Sequence, residues 1–338
     1  MVDFSPMSSL LPKTDQGAVW QTVLHRAVRD PAELCRLLGL PNSLAVAGVA
    51  TSGEFPLLVP RPYLERIRPG DPRDPLLLQV LPREAERVAR PGFSNDPLGE
   101  QSATRAPGLL WKYQNRLLIV TTGACGVHCR YCFRRHFPYR PTPDDWQSAL
   151  EVIAAERSVR EVILSGGDPL LLDDERLANL ARRLAEIPHL RRIRLHTRLP
   201  VVVPQRVTDE LIAWLRSTRL TPLVVIQANH PAELDASVAA AIGRLVDAGV
   251  PVLNQSVLLK EINDDVDTLA ELSERLVGLR VMPYYLHQLD PVAGAAHFEV
   301  PESTGIRLIA QLRDRLPGYA VPRYVRETPG GSCKQPLV

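Results

Sequence analysis

The chain has 338 residues, 45% of them hydrophobic, enough to bury a substantial core as one large domain or as a core with an appendage. Forty basic residues against 38 acidic ones leave a formal net charge of +2, so no overall field draws in nucleic acid or an anionic membrane, and neither is expected as a partner. Five cysteines, three of them crowded together, make no disulfide framework; residues 1–16 show no basic stretch leading into an apolar one, and no run of eighteen apolar residues occurs, so a cytoplasmic, reducing setting is expected.

From residue 15 to 40, Trp20, Val23, Leu24, Ala27 and Val28, then Leu34, Leu37 and Leu38, recur at helical spacing, with a break at Asp30-Pro31 where a second helix can start. Residues 41–107 are punctuated by proline and glycine, as in Arg68-Pro69-Gly70-Asp71-Pro72, and predict an irregular or helical wrap that serves as scaffold more than as active site. From residue 117 the rhythm changes. Short β-rich runs at 117–121, 161–164, 192–196, 223–227, 252–257 and 281–286 alternate with helical patterns at 146–157, 173–187, 208–217, 236–248 and 265–277, and a further helix lies near 303–316. Strand, helix, strand at this spacing predicts parallel units, and six of them predict an α/β fold with a partial (β/α)6 barrel whose functional groups collect at the C-terminal ends of the strands.

The unusual residues fall at those ends. The first strand empties into Cys125, Cys129 and Cys132, spaced C-x3-C-x2-C. Thiolates hold iron–sulfur clusters, and a cubane with three of them keeps one iron open to another ligand. A structural zinc completed by His128 or His136 is the alternative. Gly166-Gly167-Asp168 follows the second strand, where a backbone without Cβ atoms can approach a ligand closely beside one carboxylate. His196-Thr197-Arg198, Asn229-His230 and residues 288–290 follow later strands.

This arrangement resembles the radical S-adenosylmethionine (SAM) superfamily, with Tyr131 as the usual aromatic before the third cysteine and Gly166, Gly167 and Asp168 as the glycine motif that meets SAM. At 111–116, 129–135, 196–204, 254–258 and 286–298 the resemblance narrows to the lysine 2,3-aminomutase family, and over 96–100, 108–110 and 132–139 to its short form, which supplies β-lysine for elongation factor P. The resemblance implies an isomerase using a [4Fe–4S] cluster on Cys125, Cys129 and Cys132, SAM, and pyridoxal 5′-phosphate (PLP), converting L-lysine to β-lysine. It further implies PLP on Lys334 in a glycine-rich tail, with Arg116 and Tyr113 beside the cofactor, and His230 and Gln255 in the SAM pocket. For the substrate, it places the α-carboxylate on Arg134 and the distal ammonium on Asp290 and Glu327. The expected organisation is an N-terminal wrap over 1–107, a radical SAM barrel over 108–300, and a C-terminal helix with a PLP-binding tail over 301–338. A low-potential electron donor such as flavodoxin or ferredoxin is the expected protein partner, and a homo-oligomer is compatible with the sequence. Glu327 stands where longer relatives carry Asp; one methylene alters preference among similar substrates by only ~1–3 kcal/mol. Arginine and, less readily, glutamate are the alternative substrates, and a PLP-free radical SAM enzyme is the alternative chemistry.

Overall fold

The computed structural model describes residues 19–51, 55–139 and 145–338, so the absence of a leader expected over residues 1–16 and the first residues of the helical pattern lie outside the described residues. Among the described residues, ten strands form a single sheet ordered as they occur in the chain. β1 (Thr104–Ala106) and β2 (Leu109–Tyr113) lead antiparallel into β3 (Arg116–Thr122). β4 (Glu161–Gly166), β5 (Arg192–Thr197), β6 (Thr221–Ile226), β7 (Val252–Val257), β8 (Met282–His287) and β9 (Arg323–Arg326) then run parallel, and β10 (Gln335–Pro336) folds back antiparallel on β9.

All six expected βα units are present, and a further parallel strand, β9, follows the last of them. The sheet crosses both expected segment limits, because the hairpin of β1 and β2 straddles 107–108 and β9 and β10 continue past 300.

The N-terminal section carries α1 (Val19–His25), α2 (Pro31–Leu37), α3 (Asn42–Thr51), α4 (Arg61–Leu64) and α5 (Pro75–Leu78). The expected break is real: Asp30 accepts a hydrogen bond from the Ala32 amide at 3.0 Å and Pro31 opens α2, where its missing N–H costs nothing.

Between the parallel strands run α6 (Gln147–Ala155), α7 (Asp174–Ala185), the short α8 (Leu199–Val202), α9 (Asp209–Arg216), α10 (Ala236–Asp247), α11 (Val266–Gly278) and α12 (Glu302–Arg315). Asp173, Thr208, Asp235 and Asp265 each accept an amide hydrogen bond at a helix start, a device worth ~1 kcal/mol apiece. α7 buries Leu177, Leu180, Ala181 and Leu184, one stripe at helical spacing, against the sheet, and each leucine contributes ~1.5–3 kcal/mol. Replacing Leu180 with aspartate would put an unpaired charge in that seam and detach the helix.

Parallel pairing aligns the strand ends: Thr122 with Gly166, Thr197 with Ile226, Val257 with His287, and His287 with Val325. Their exit loops therefore share one rim.

Candidate active site

One cavity at that rim is lined by Cys125, Cys129, Cys132, Gly166, Gly167, Asp168, Gln255, Tyr113, Arg116, Arg134, Asp290, Glu327 and Lys334. Residues far apart in sequence, including the cysteine loop and the C-terminal tail, thus face the same space. His230 is not on its wall. The His230 ring accepts a hydrogen bond from the Ala232 amide at 3.1 Å through Nδ1 and caps a short turn, while its neighbour Asn229 lines the cavity.

The cysteine loop is fastened from below by the N-terminal wrap. The His128 amide donates to Leu58 O at 3.1 Å and the Arg130 amide to Gln79 O at 2.8 Å. Glu86 takes both Arg130 and Arg135 in ion pairs at 2.5 and 2.7 Å. The wrap is therefore part of the site's foundation rather than scaffold alone. Burial pushes the Cys125 thiol well up and the Cys132 thiol up to about 11, so ligation there must displace protons. The two histidines weighed as zinc ligands are engaged elsewhere: His128 Nδ1 lies 2.7 Å from Pro56 O and His136 Nε2 3.1 Å from Ala293 O. Among the described residues no three His, Cys, Asp or Glu converge as one metal ion requires. A cubane asks for something different, one thiolate on each of three irons.

The glycine pair has a physical reason beyond ligand approach. Gly166 sits at φ +132°, and a Cβ there would meet Thr122 O at 2.4 Å; a Cβ on Gly167 would meet Ala124 O at 1.9 Å. The Gly167 and Asp168 amides donate to Thr122 O and Ala124 O at 2.7 and 2.8 Å, which locks this turn to the entrance of the cysteine loop.

Asp168 lines the cavity but its carboxylate is committed. Leu170 N, Thr197 Oγ1, Arg198 N and Leu199 N all donate to it within 3.1 Å, filling the positions a carboxylate offers. Burial still pushes its pKa up against these bonds. Its part is to tie the β4 exit to the β5 exit.

Across the cavity runs a chain of alternating charge that the sequence did not reveal. Lys334 Nζ donates to Glu327 Oε2 at 2.7 Å, and Lys112 Nζ bonds Glu327 Oε1. Lys112 lies 3.9 Å from Glu100, and Glu100 takes the fork of Arg134 at 2.6 and 2.8 Å. Burial would push the Glu327 carboxyl up, but Lys334 and Lys112 reverse this and hold it well below the usual carboxylate range. Asp290 goes the other way: burial and the negative charge of Glu327 raise it to about 7, against Lys334 and Lys112. Burial and Glu327 also push Tyr113 well up, and its hydroxyl is buried without a hydrogen-bond partner among the described residues. The Arg116 guanidinium stacks 4.6 Å from the Tyr113 ring, with no ion pair of its own among the described residues. His196 Nε2, likewise buried and unpartnered among the described residues, looks into the same space and is kept neutral by burial.

These features fit the implied groups. Three thiols and a cradle that only glycine permits suit a cluster and its ligand, while an unpaired guanidinium, an orphaned hydroxyl and a primary amine suit PLP.

Residues 119–272 match the Radical SAM superfamily, the class that the parallel sheet and its cysteine exit define. That class implies SAM and a [4Fe–4S] cluster. An L-lysine 2,3-aminomutase of Haemophilus influenzae is 47% identical over 314 residues, 92% of this chain and 93% of the relative. One from Escherichia coli is 46% identical over 322 residues, 94% of each chain, and one from Clostridium subterminale is 40% identical over 280 residues, 82% of this chain and 67% of the relative. The chain belongs to the L-lysine 2,3-aminomutase family and is an enzyme of the isomerase class. Among the described residues no helix is long and apolar enough to cross a membrane.

Proposed function

We propose that this chain is a PLP-dependent radical SAM enzyme that moves the amino group of L-lysine from Cα to Cβ. The observation that carries the reading is the charge chain from Lys334 through Glu327, Lys112 and Glu100 to Arg134, lying in the cavity that the three cysteines also line. A lysine zwitterion has the complementary pattern. The reading assigns the α-carboxylate to Arg134, whose fork Glu100 holds in this structure, and the distal ammonium to Asp290 and to Glu327, whose two oxygens Lys334 and Lys112 hold here.

When bound, the cluster supplies the electron that cleaves SAM, and PLP supplies the π-system over which nitrogen moves. The protein supplies position. Lys334 offers its amine for PLP, Arg116 offers unclaimed N–H donors for the phosphate, and Gln255 and the glycine pair border the space left for SAM. Arg134 has four of its five N–H donors engaged, so the substrate carboxylate takes the remaining one or displaces Glu100.

Anaerobically reconstituted protein with SAM, PLP and dithionite is expected to convert L-lysine to β-lysine. Full cluster loading with no β-lysine formed would sink the proposal, and a loaded protein without the visible band of bound PLP would favour PLP-free chemistry. L-Arginine is the second substrate to test, because Asp290 and Glu327 would equally receive a guanidinium, whereas glutamate would set its side-chain carboxylate against them. The short-form resemblance supports delivery of the β-lysine to elongation factor P. The five free cysteines support a reducing setting, and the electron a cluster would need is the ground for a flavodoxin or ferredoxin donor in the cytoplasm.

A further inference from the structure

Behind Cys129 stands a buried ion pair that the proposed reaction leaves without a role. Arg198 leaves β5 and enters the cavity wall, where Nη1 donates to Cys129 Sγ. Its Nη2 donates to Glu233 Oε2 at 2.8 Å and to Gln79 Oε1 at 2.7 Å. Both charges are out of water, Arg198 at 5% exposure and Glu233 at 0%.

The pair is also held from several sides. Glu233 Oε1 accepts from the Asn229 and His230 amides at 2.8 and 3.1 Å, and the Arg198 guanidinium lies 5.6 and 5.7 Å from the rings of Tyr63 and Tyr131. A buried arginine held by one carboxylate needs no sulfur partner for stability. This one is aimed at a thiol expected to become a cluster ligand.

Resting on the reading of Cys125, Cys129 and Cys132 as cluster ligands, we infer that Arg198 and Glu233 set the reduction potential of the cluster through Cys129. Reduction adds one electron from the external donor to the cluster and one negative charge beside Cys129. A cation that donates a hydrogen bond to that sulfur stabilises the reduced form, and hydrogen bonds to the sulfurs are a recognised determinant of cluster potential. Glu233, on the far side of the same guanidinium, opposes the effect, and the low-dielectric surroundings preserve both contributions. Arg198 is thus a positioning and tuning residue, and Glu233 is its counterweight.

The two charges predict shifts of opposite sign, which a merely structural role does not. Native protein, R198K, R198Q and E233Q would be reconstituted anaerobically and assayed for iron and sulfide. Each would then be titrated with dithionite in redox dyes while the paramagnetic signal of the reduced cluster is followed. In R198Q the ratio of reduced to oxidised cluster at a fixed solution potential is expected to fall about tenfold, a downward shift of about 59 mV for one electron. R198K should fall less, and E233Q should shift upward. Loaded variants with the native midpoint, or R198Q and E233Q moving in the same direction, would overturn the inference. If R198Q takes up no iron, E233Q decides, and an unchanged or lowered potential counts against it. If neither variant loads, the pair only holds the loop and the tuning role is wrong. Native protein that takes up no iron removes the cluster reading itself, a result distinct from a loaded cluster with an unmoved potential.

Discussion

Lys334 Nζ lies 2.7 Å from Glu327 Oε2 while Lys112 holds the other oxygen of the same carboxylate, so one anion serves two partly buried ammonium groups. Glu327 is 10% exposed, and Lys112 and Lys334 are 13% and 19% exposed. Removing the shared anion strands both cations. Glu327→Gln is expected to lower the stability of the cofactor-free protein by ~3 kcal/mol, read from urea unfolding. An unchanged midpoint would mean that the three groups do not share the site in solution.

Affinity for L-lysine should depend on pH if the substrate ammonium is received, as proposed, by Asp290. Its folded pKa, about 7, exceeds the ordinary value of 3.8, so folded protein carries a proton there that unfolded protein has lost. The associated stability is full below the ordinary value and is lost as pH rises through about 7. A substrate ammonium needs the ionised form, so binding releases this proton below neutrality, and L-lysine affinity should rise roughly tenfold per pH unit until it levels near the folded pKa. Calorimetry in two buffers of different ionisation enthalpy reads the released proton. Asp290→Asn should abolish both the release and the slope; a native protein with flat affinity would refute the assignment.

Gly167→Ala tests the joint between the second strand exit and the cysteine loop. Its Cβ would lie 1.9 Å from Ala124 O, a main-chain atom with little room to yield. The variant should lose at least about 3 kcal/mol and much of its iron-binding capacity. Thermal unfolding and iron content check this together, and native values for both would show that the joint opens freely.

The six parallel strands and the helices between them were legible in sequence because period and length carry most of the information: a helix expected over 173–187 spans Asp174–Ala185. β1, β2, β9 and β10 were missed. They are short, and Lys112, Arg323 and Arg326 make two of them look like solvated turns. The candidate site divides in the same way. Cysteine spacing and glycine pairs are local signals, and the fold gathers those residues on one rim. The charge chain is not local: Glu327 lies 215 residues from Lys112, and Arg198 lies 119 from Gln79. A glutamate or arginine read alone looks like surface, because most are. His230, a polar strand-end residue, caps a turn through one ring nitrogen, a local role that its neighbours in sequence did not announce.

Arg134 offers a test of carboxylate recognition. Its paired N–H groups grip Glu100, and a lysine ammonium would not reproduce that planar geometry. Arg134→Lys should lower kcat/KM for L-lysine roughly 10–100-fold, the worth of ~1.5–3 kcal/mol in a charged hydrogen bond. Lysinamide, which lacks the carboxylate, should be bound equally by both proteins. An equal loss for the amide would assign Arg134 to the architecture of the loop.

The stretch shared with the whole superfamily, residues 119–272, contains Cys125, Cys129, Cys132, Gly166, Gly167 and Gln255, whereas Lys112, Tyr113, Arg116, Asp290, Glu327 and Lys334 all lie outside it. On the proposed assignments, radical generation and amino-acid recognition draw on different lengths of chain, with Arg134 the one recognition group on the common piece. Divergence toward a new amino acid can rewrite the flanks and leave the ignition chemistry untouched, and an engineer grafting specificity between members of this family should exchange the ends before the middle.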